Sequence, residues 1–250
     1  MPKRAATDGA IELSFARGCA AMTLRYPAAR ASITPAMAVR MIEIFEQIED
    51  DDEARMLTLW SGAAKFCTGF DAEVDPRLVE SMAVISKPVV VVINGDAADE
   101  GLELALAADI RIVAARARIA ITSAGRGAMP RFGATQRLPR LIGAANTLRV
   151  MMTGTPITGT EAARIGLATY LAANRRDWAR ISQNVERAIV SRAPLATRLV
   201  KDAVLKGYDM TLEQGIRLEE DLYALLQTTA DRAEGIDAFL AKRKPLFKGA

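Results

Sequence analysis

KPVVVVINGDAADEGLELALAADIRI, residues 87–112, changes pattern twice. It opens with a short β-branched run, Val89 to Ile93, that has no polar alternation. This is the pattern of a strand buried on both faces of a parallel sheet. A helical segment with acids at its start follows, and IRIVA (110–114) is strand-like again. Strands alternating with helices predict an α/β architecture with right-handed crossovers.

The same alternation extends outward. IELSF (11–15) and CAAMTL (19–24) read as strands separated by the turn Ala16-Arg17-Gly18. ITPAMAVRMIEIFEQIEDD then starts a helix, with Thr34 as N-cap and Pro35 in the first helical position. Met37, Met41, Ile44, Phe45 and Ile48 give that helix a buried stripe. RMLTLW (55–60) and RIAI (118–121) are further strands. Beyond residue 133 helical patterns dominate, at 134–153, 159–166, 177–192, 195–207, 211–229 and 231–243. No internal repeat or low-complexity linker interrupts them. Their apolar faces need the core or a neighbouring subunit as a partner.

Composition narrows the chemistry. Half of the 250 residues are hydrophobic, enough for a sizeable core in one large α/β domain. The charge balance of 33 basic against 30 acidic residues, without an aromatic-interleaved basic stripe, argues against nucleic acid as a partner. The two cysteines, Cys19 and Cys67, make neither a disulfide framework nor a metal-type spacing, so a cytoplasmic setting is expected. MPKRAATDGA lacks the apolar core of a signal peptide, and charges break every apolar stretch before membrane-spanning length, so no membrane span is expected. The absence of histidine removes Ser-His-Asp and Cys-His catalysis and the commonest zinc sites. Acid–base chemistry falls to Asp, Glu, Lys, Tyr or water.

Four segments in order carry a resemblance. AAKFCTGFDAEV (63–74) is similar to a Phe-x-x-Gly-x-Asp motif. Residues 87–112 are similar to a Lys-Pro-strand-Asn-Gly-x-Ala-x-Gly-Gly-Gly-x-Glu-Leu-Ala-Leu-x-x-Asp-Ile motif. GATQRLPRLIG (133–143) with MMTGTPITGTEAARIGLA (151–168) is the third, and EGIDAFLAKRKPLFKGA (234–250) the fourth. Together they resemble the crotonase superfamily of enoyl-CoA hydratases and isomerases, over nearly the whole chain. The resemblance implies an α/β fold: a ββα spiral core over 11–190 after a tail at 1–10, then a C-terminal helical region, 191–250, for trimerisation and CoA capping. It implies a homotrimer or dimer of trimers, an acyl-CoA thioester as substrate, and no separate cofactor or metal.

The resemblance also implies an oxyanion hole from two backbone N–H groups, those of Phe70 and Glu100, for the enolate oxygen. Removal of one such donor typically costs ~10²–10³ in rate. Glu103 aligns with the first of the family's two hydratase glutamates, which hold and deprotonate water. By position alone it reads equally as a capping-box glutamate. The second glutamate's position, twelve residues before Thr135, is Ser123, so that acid is missing. Asp99 and Glu100 stand where the family has glycines. They read either as first-turn acids complementing the helix dipole or as a charge opposing the enolate.

Where some relatives have an aspartate after the proline, this chain has Arg131. It is either a surface residue or a receptor for an acyl carboxylate. RYPAARASIT (25–34) resembles the family's CoA loop, with Arg30 toward the phosphates and Ser32 toward pantetheine. By the same resemblance Thr68, Phe70 and Asp71 would line the adenine and thioester end. The resemblance also implies that Phe247 and Lys248, or Lys244, reach the nucleotide, often from the adjacent subunit; the basic run there reads otherwise as a solvated helix face. Cys67 reads as a packing residue. Only fifteen residues separate Asp71 from Lys87, implying a more open acyl pocket. Hydration, isomerisation or a related enolate reaction is the expected activity. A catalytically impaired acyl-CoA-binding protein and a CoA-thioester hydrolase are the alternatives.

Overall fold

The structure, a computed structural model, describes residues 10–26 and 31–250. The first described elements are the antiparallel hairpin of β1 (Ala10–Ala16) and β2 (Cys19–Arg25). From β2 onward it winds in repeated turns. Each turn lays a longer strand in a main sheet and, in most turns, a short strand in a second layer and then a helix. The first turn is β2, β3 (Ser32–Ile33) and α1 (Pro35–Asp50). The second is β4 (Met56–Ser61), β5 (Gly69–Phe70) and α2 (Leu78–Ala83). The third is β6 (Val89–Ile93), β7 (Ala97–Ala98) and α3 (Glu100–Leu106). The fourth is β8 (Ile110–Ala114), β9 (Arg118–Ala120), a 3₁₀ turn (Ser123–Arg126) and α4 (Ala134–Thr153). Then come β10 (Ile157–Thr158), α5 (Gly159–Arg164) and β11 (Tyr170–Ala172).

The main sheet runs β1-β2-β4-β6-β8-β11, parallel except for the first pair. The short strands pair as β3-β5 and as β10-β9-β7. This is the expected ββα spiral. Val89 to Ile93 lie fully buried at the middle of the main sheet, as their unbroken apolar run requires. α1 begins where its cap signals place it. The Thr34 Oγ1 accepts the Met37 N–H at 3.3 Å, and the five stripe residues are all buried. At its far end the buried Lys87 ammonium donates to the Ile48 and Asp51 carbonyls, a cation on the negative end of the helix.

Four helices close the chain: α6 (Arg175–Val190), α7 (Pro194–Gly207), α8 (Leu212–Gln227) and α9 (Ala230–Leu240). α6 starts two residues before the expected 177, because the Asn174 side chain caps it by accepting the Asp177 N–H at 3.1 Å. α9 stops at Leu240, short of the expected 243. α6 packs on the main sheet, Trp178 lying 5.4 Å from Trp60 between ring centroids. No residue of α7 or α8 is buried within the chain.

Candidate functional site

The short strands and α3 meet at the C-terminal ends of β4 and β6. The Ala98 N–H donates to the Cys67 carbonyl at 2.9 Å, joining the second turn to the third. Gly101 makes the approach close: a Cβ there would stand 2.2 Å from the same carbonyl oxygen, a distance no side chain tolerates. The start of α3 is thereby pressed against Cys67–Phe70. Cys67 is fully buried and its thiol is pushed up to about 11, chiefly by burial, which makes it a packing residue rather than a nucleophile.

Glu103 lies one turn into α3 and is 2 % exposed. The capping-box reading does not hold: its Oε1 accepts the backbone N–H groups of Phe132 at 2.8 Å and Ala134 at 3.0 Å, on the loop before α4. Burial raises its pKa above the ordinary 4.5. The N–H groups of Ala134, Phe132 and Arg131 oppose that rise, and the Glu100 charge adds to it. The Phe132 ring lies 5.4 Å from that of Phe70, and the Arg131 guanidinium carbon sits 5.0 Å over the Phe132 ring. Glu103, Phe70, Phe132 and Arg131 are thus brought together from three turns of the spiral.

The two acids at the head of α3 diverge. Asp99 holds φ +46°, a backbone conformation natural to glycine, and its side chain caps nothing. Its carboxylate instead accepts the Thr122 N–H at 2.6 Å, the Thr122 hydroxyl at 2.7 Å and the Arg126 guanidinium at 3.2 Å. It therefore serves neither as a helix-dipole acid nor as a charge aimed at Phe70. Sequence reading missed this role; the glycine-type position was its only signal. Glu100 stays near the site, its Oε2 3.5 Å from where a Cβ on Gly69 would stand.

Ser123 follows Thr122 and is buried. Its Oγ is buried without a hydrogen-bond partner among the described residues, so it does not bond Glu103. Ser32, Thr68 and Asp71 come together across β3 and β5: the Ser32 hydroxyl donates to Asp71 at 2.7 Å, and Thr68 N–H to the Ala31 carbonyl at 2.7 Å. Arg30 lies outside the described residues. Phe247 and Lys248 are not brought to this site within one chain. The Phe247 carbonyl accepts from Arg55 at 2.7 Å, and the Lys248 N–H donates to Asp231 at 2.7 Å. Arg55 precedes β4, at the opposite end of that strand from Phe66–Phe70.

Comparison with known proteins agrees with this architecture. The family model described as enoyl-CoA hydratase/isomerase matches residues 14–250. The chain is 33% identical to the (E)-benzylidenesuccinyl-CoA hydratase of Thauera aromatica, over 96% of this chain and 99% of that one. It is 31% identical to the 2,3-dehydroadipyl-CoA hydratase of Escherichia coli, over 91% and 94%. The crystal structure of an enoyl-CoA hydratase from Bacillus anthracis superposes with a TM-score of 0.91 at 30% identity, covering 96% and 99% of the two chains. The chain belongs to the enoyl-CoA hydratase/isomerase family, the crotonase superfamily.

Proposed function

We propose that this family member adds water across the double bond of an α,β-unsaturated acyl-CoA thioester, with Glu103 as its single carboxylate base. The observation that carries this reading is the Glu103 carboxyl: buried, oriented by the Phe132 and Ala134 N–H groups, and of raised pKa. Desolvation makes such a carboxylate a stronger base than one in water.

In this reading the thioester oxygen takes hydrogen bonds from the N–H groups of Phe70 and Glu100, the second at the start of α3, where the helix dipole favours negative charge. Glu103 takes a proton from water as its oxygen bonds to Cβ. The π electrons move toward the thioester oxygen, giving the enolate. Glu103 then returns a proton to Cα, and the net change is addition of one water. Ser123 replaces the second acid with a hydroxyl. A buried hydroxyl without a partner costs about 1–3 kcal/mol, which a hydrogen bond to the attacking water or to substrate recovers. Coenzyme A lies along Ser32, Thr68 and Asp71, with Arg30 on its phosphates and with Phe247 and Lys248 supplied by a neighbouring subunit. No separate cofactor or metal takes part.

Two features favour a second reading, acyl-CoA binding without turnover: Ser123, where the resemblance puts the second acid, and the Glu100 carboxylate beside Gly69. Incubation with a panel of enoyl- and acyl-CoA esters, followed by mass spectrometry, separates the readings. A product heavier by one water is expected, and Glu103→Gln should slow its formation by ~10²–10⁴. Binding of the esters without any product supports the second reading, and free coenzyme A identifies a hydrolase.

A further inference from the structure

Next to Glu103 lies a cleft of about 620 Å³ with apolar walls from Pro76, Val79, Phe132 and Leu205. Three arginines border it. Arg137 pairs with Glu80 at 3.2 Å and donates to the Phe132 carbonyl, and Arg140 pairs with Asp209 at 3.0 Å. Arg131 has no carboxylate partner among the described residues; its guanidinium carbon lies 5.0 Å from the centre of the Phe132 ring. Phe132 joins the two regions, because its N–H bonds Glu103 while its ring lines the cleft and carries Arg131.

We propose that Arg131 is a subsite for an anionic group on the acyl moiety, so that the enzyme prefers CoA thioesters whose acyl chain ends in a carboxylate. The proposal rests on the acyl-CoA reading above. A cation–π contact with the Phe132 ring uses none of the guanidinium N–H donors, and two of those donors match a carboxylate bidentately. The apolar walls suit a hydrocarbon chain leading away from the reacting carbons. The phosphates of coenzyme A are the other anion available. They carry several charges, whereas the cleft offers one cation unpaired among the described residues, which a single carboxylate neutralises.

The test compares 2,3-dehydroadipyl-CoA with trans-2-hexenoyl-CoA, esters of equal chain length, on the wild type, Arg131→Gln and Arg131→Lys. The wild type should favour the carboxylate ester. Arg131→Gln should lower kcat/KM for that ester at least about tenfold more than for the neutral one, the scale of a charged hydrogen bond, with the loss mainly in KM. Arg131→Lys should restore part of it. Equal losses on both esters place the arginine on the CoA phosphates and overturn the proposal, as does no loss on either. Should the wild type hydrate neither ester, the proposed reaction has failed, and dissociation constants for adipyl-CoA and hexanoyl-CoA decide the subsite separately. Tighter adipyl-CoA binding that Arg131→Gln removes supports it; equal or absent binding overturns it.

Discussion

Three acids within five residues, Asp99, Glu100 and Glu103, have three different surroundings, and each surrounding sets what the carboxylate can do. Glu103 binds its proton more tightly in the folded chain than in the unfolded one, because burial outweighs its backbone donors. The linkage sign follows: this group contributes stability that is fully present below 4.5 and is lost as pH rises through its folded-state value. A base must be deprotonated, so the acid limb of kcat/KM should lie above 4.5. Glu103→Gln keeps an Oε1 acceptor for Phe132 and Ala134. It should lower kcat by ~10²–10⁴, keep the fold, and remove that part of the pH dependence of stability. Urea melts and rate profiles across pH measure both, and an unchanged rate would remove Glu103 from the mechanism. Glu100 offers the opposite test. Its N–H survives any non-proline substitution, while its charge beside Gly69 opposes an enolate. Glu100→Gln should therefore raise kcat/KM, on the order of tenfold for a charge this close at an intermediate dielectric. A fall instead would mean that the carboxylate itself takes part.

The start of α3 shows what an element demands of its residues. Gly101 is the one glycine at this start, and its packing against the Cys67 carbonyl explains why no side chain stands there. Gly101→Ala should destabilise the chain by on the order of 2 kcal/mol or more, since the nearest atoms are backbone and cannot move aside cheaply. It should also lower kcat by shifting α3 from Phe70. A thermal melt and a rate measurement read the two effects, and a variant with wild-type values in both would refute the close packing. Asp99 adopts a glycine-like φ without being glycine, and its bonds to Thr122 and Arg126 offset that strain. Much of this region was legible in the sequence. The unbroken valines gave the buried strand, and Thr34 and Pro35 gave the start of α1. The unforeseen parts are long-range contacts. The Glu103 carboxylate meets N–H groups some thirty residues away, and Asp99 meets Thr122 across the next turn. Local spacing carries no trace of either, so a capping box and a dipole acid were the natural short-range readings.

At the scale of the whole molecule, the C-terminal helices leave apolar side chains exposed in one chain. α7 and α8 are amphipathic, yet neither buries a residue. Leu212 is 82 % exposed, and Val204, Tyr208, Ile216, Tyr223 and Leu225 are exposed with it. So many exposed apolar side chains on two neighbouring helices are characteristic of an interface rather than of an isolated chain in water. We propose that it is covered by further copies of this chain, as a homotrimer or a dimer of trimers. A helix face that is polar all round would need no partner, whereas this one gains about 25 cal/mol for each Å² of apolar surface removed from water. Light scattering behind size exclusion should therefore give three or six times the 26.9 kDa chain mass. Leu212→Glu with Tyr223→Glu should lower that mass toward one chain, because charges buried at an interface without partners are costly. If the assembly also brings Phe247 and Lys248 to a neighbour's coenzyme A, the same double variant should raise KM for acyl-CoA esters as the mass falls. A wild-type chain that runs as a monomer with full activity would sink both the assembly and the shared nucleotide site.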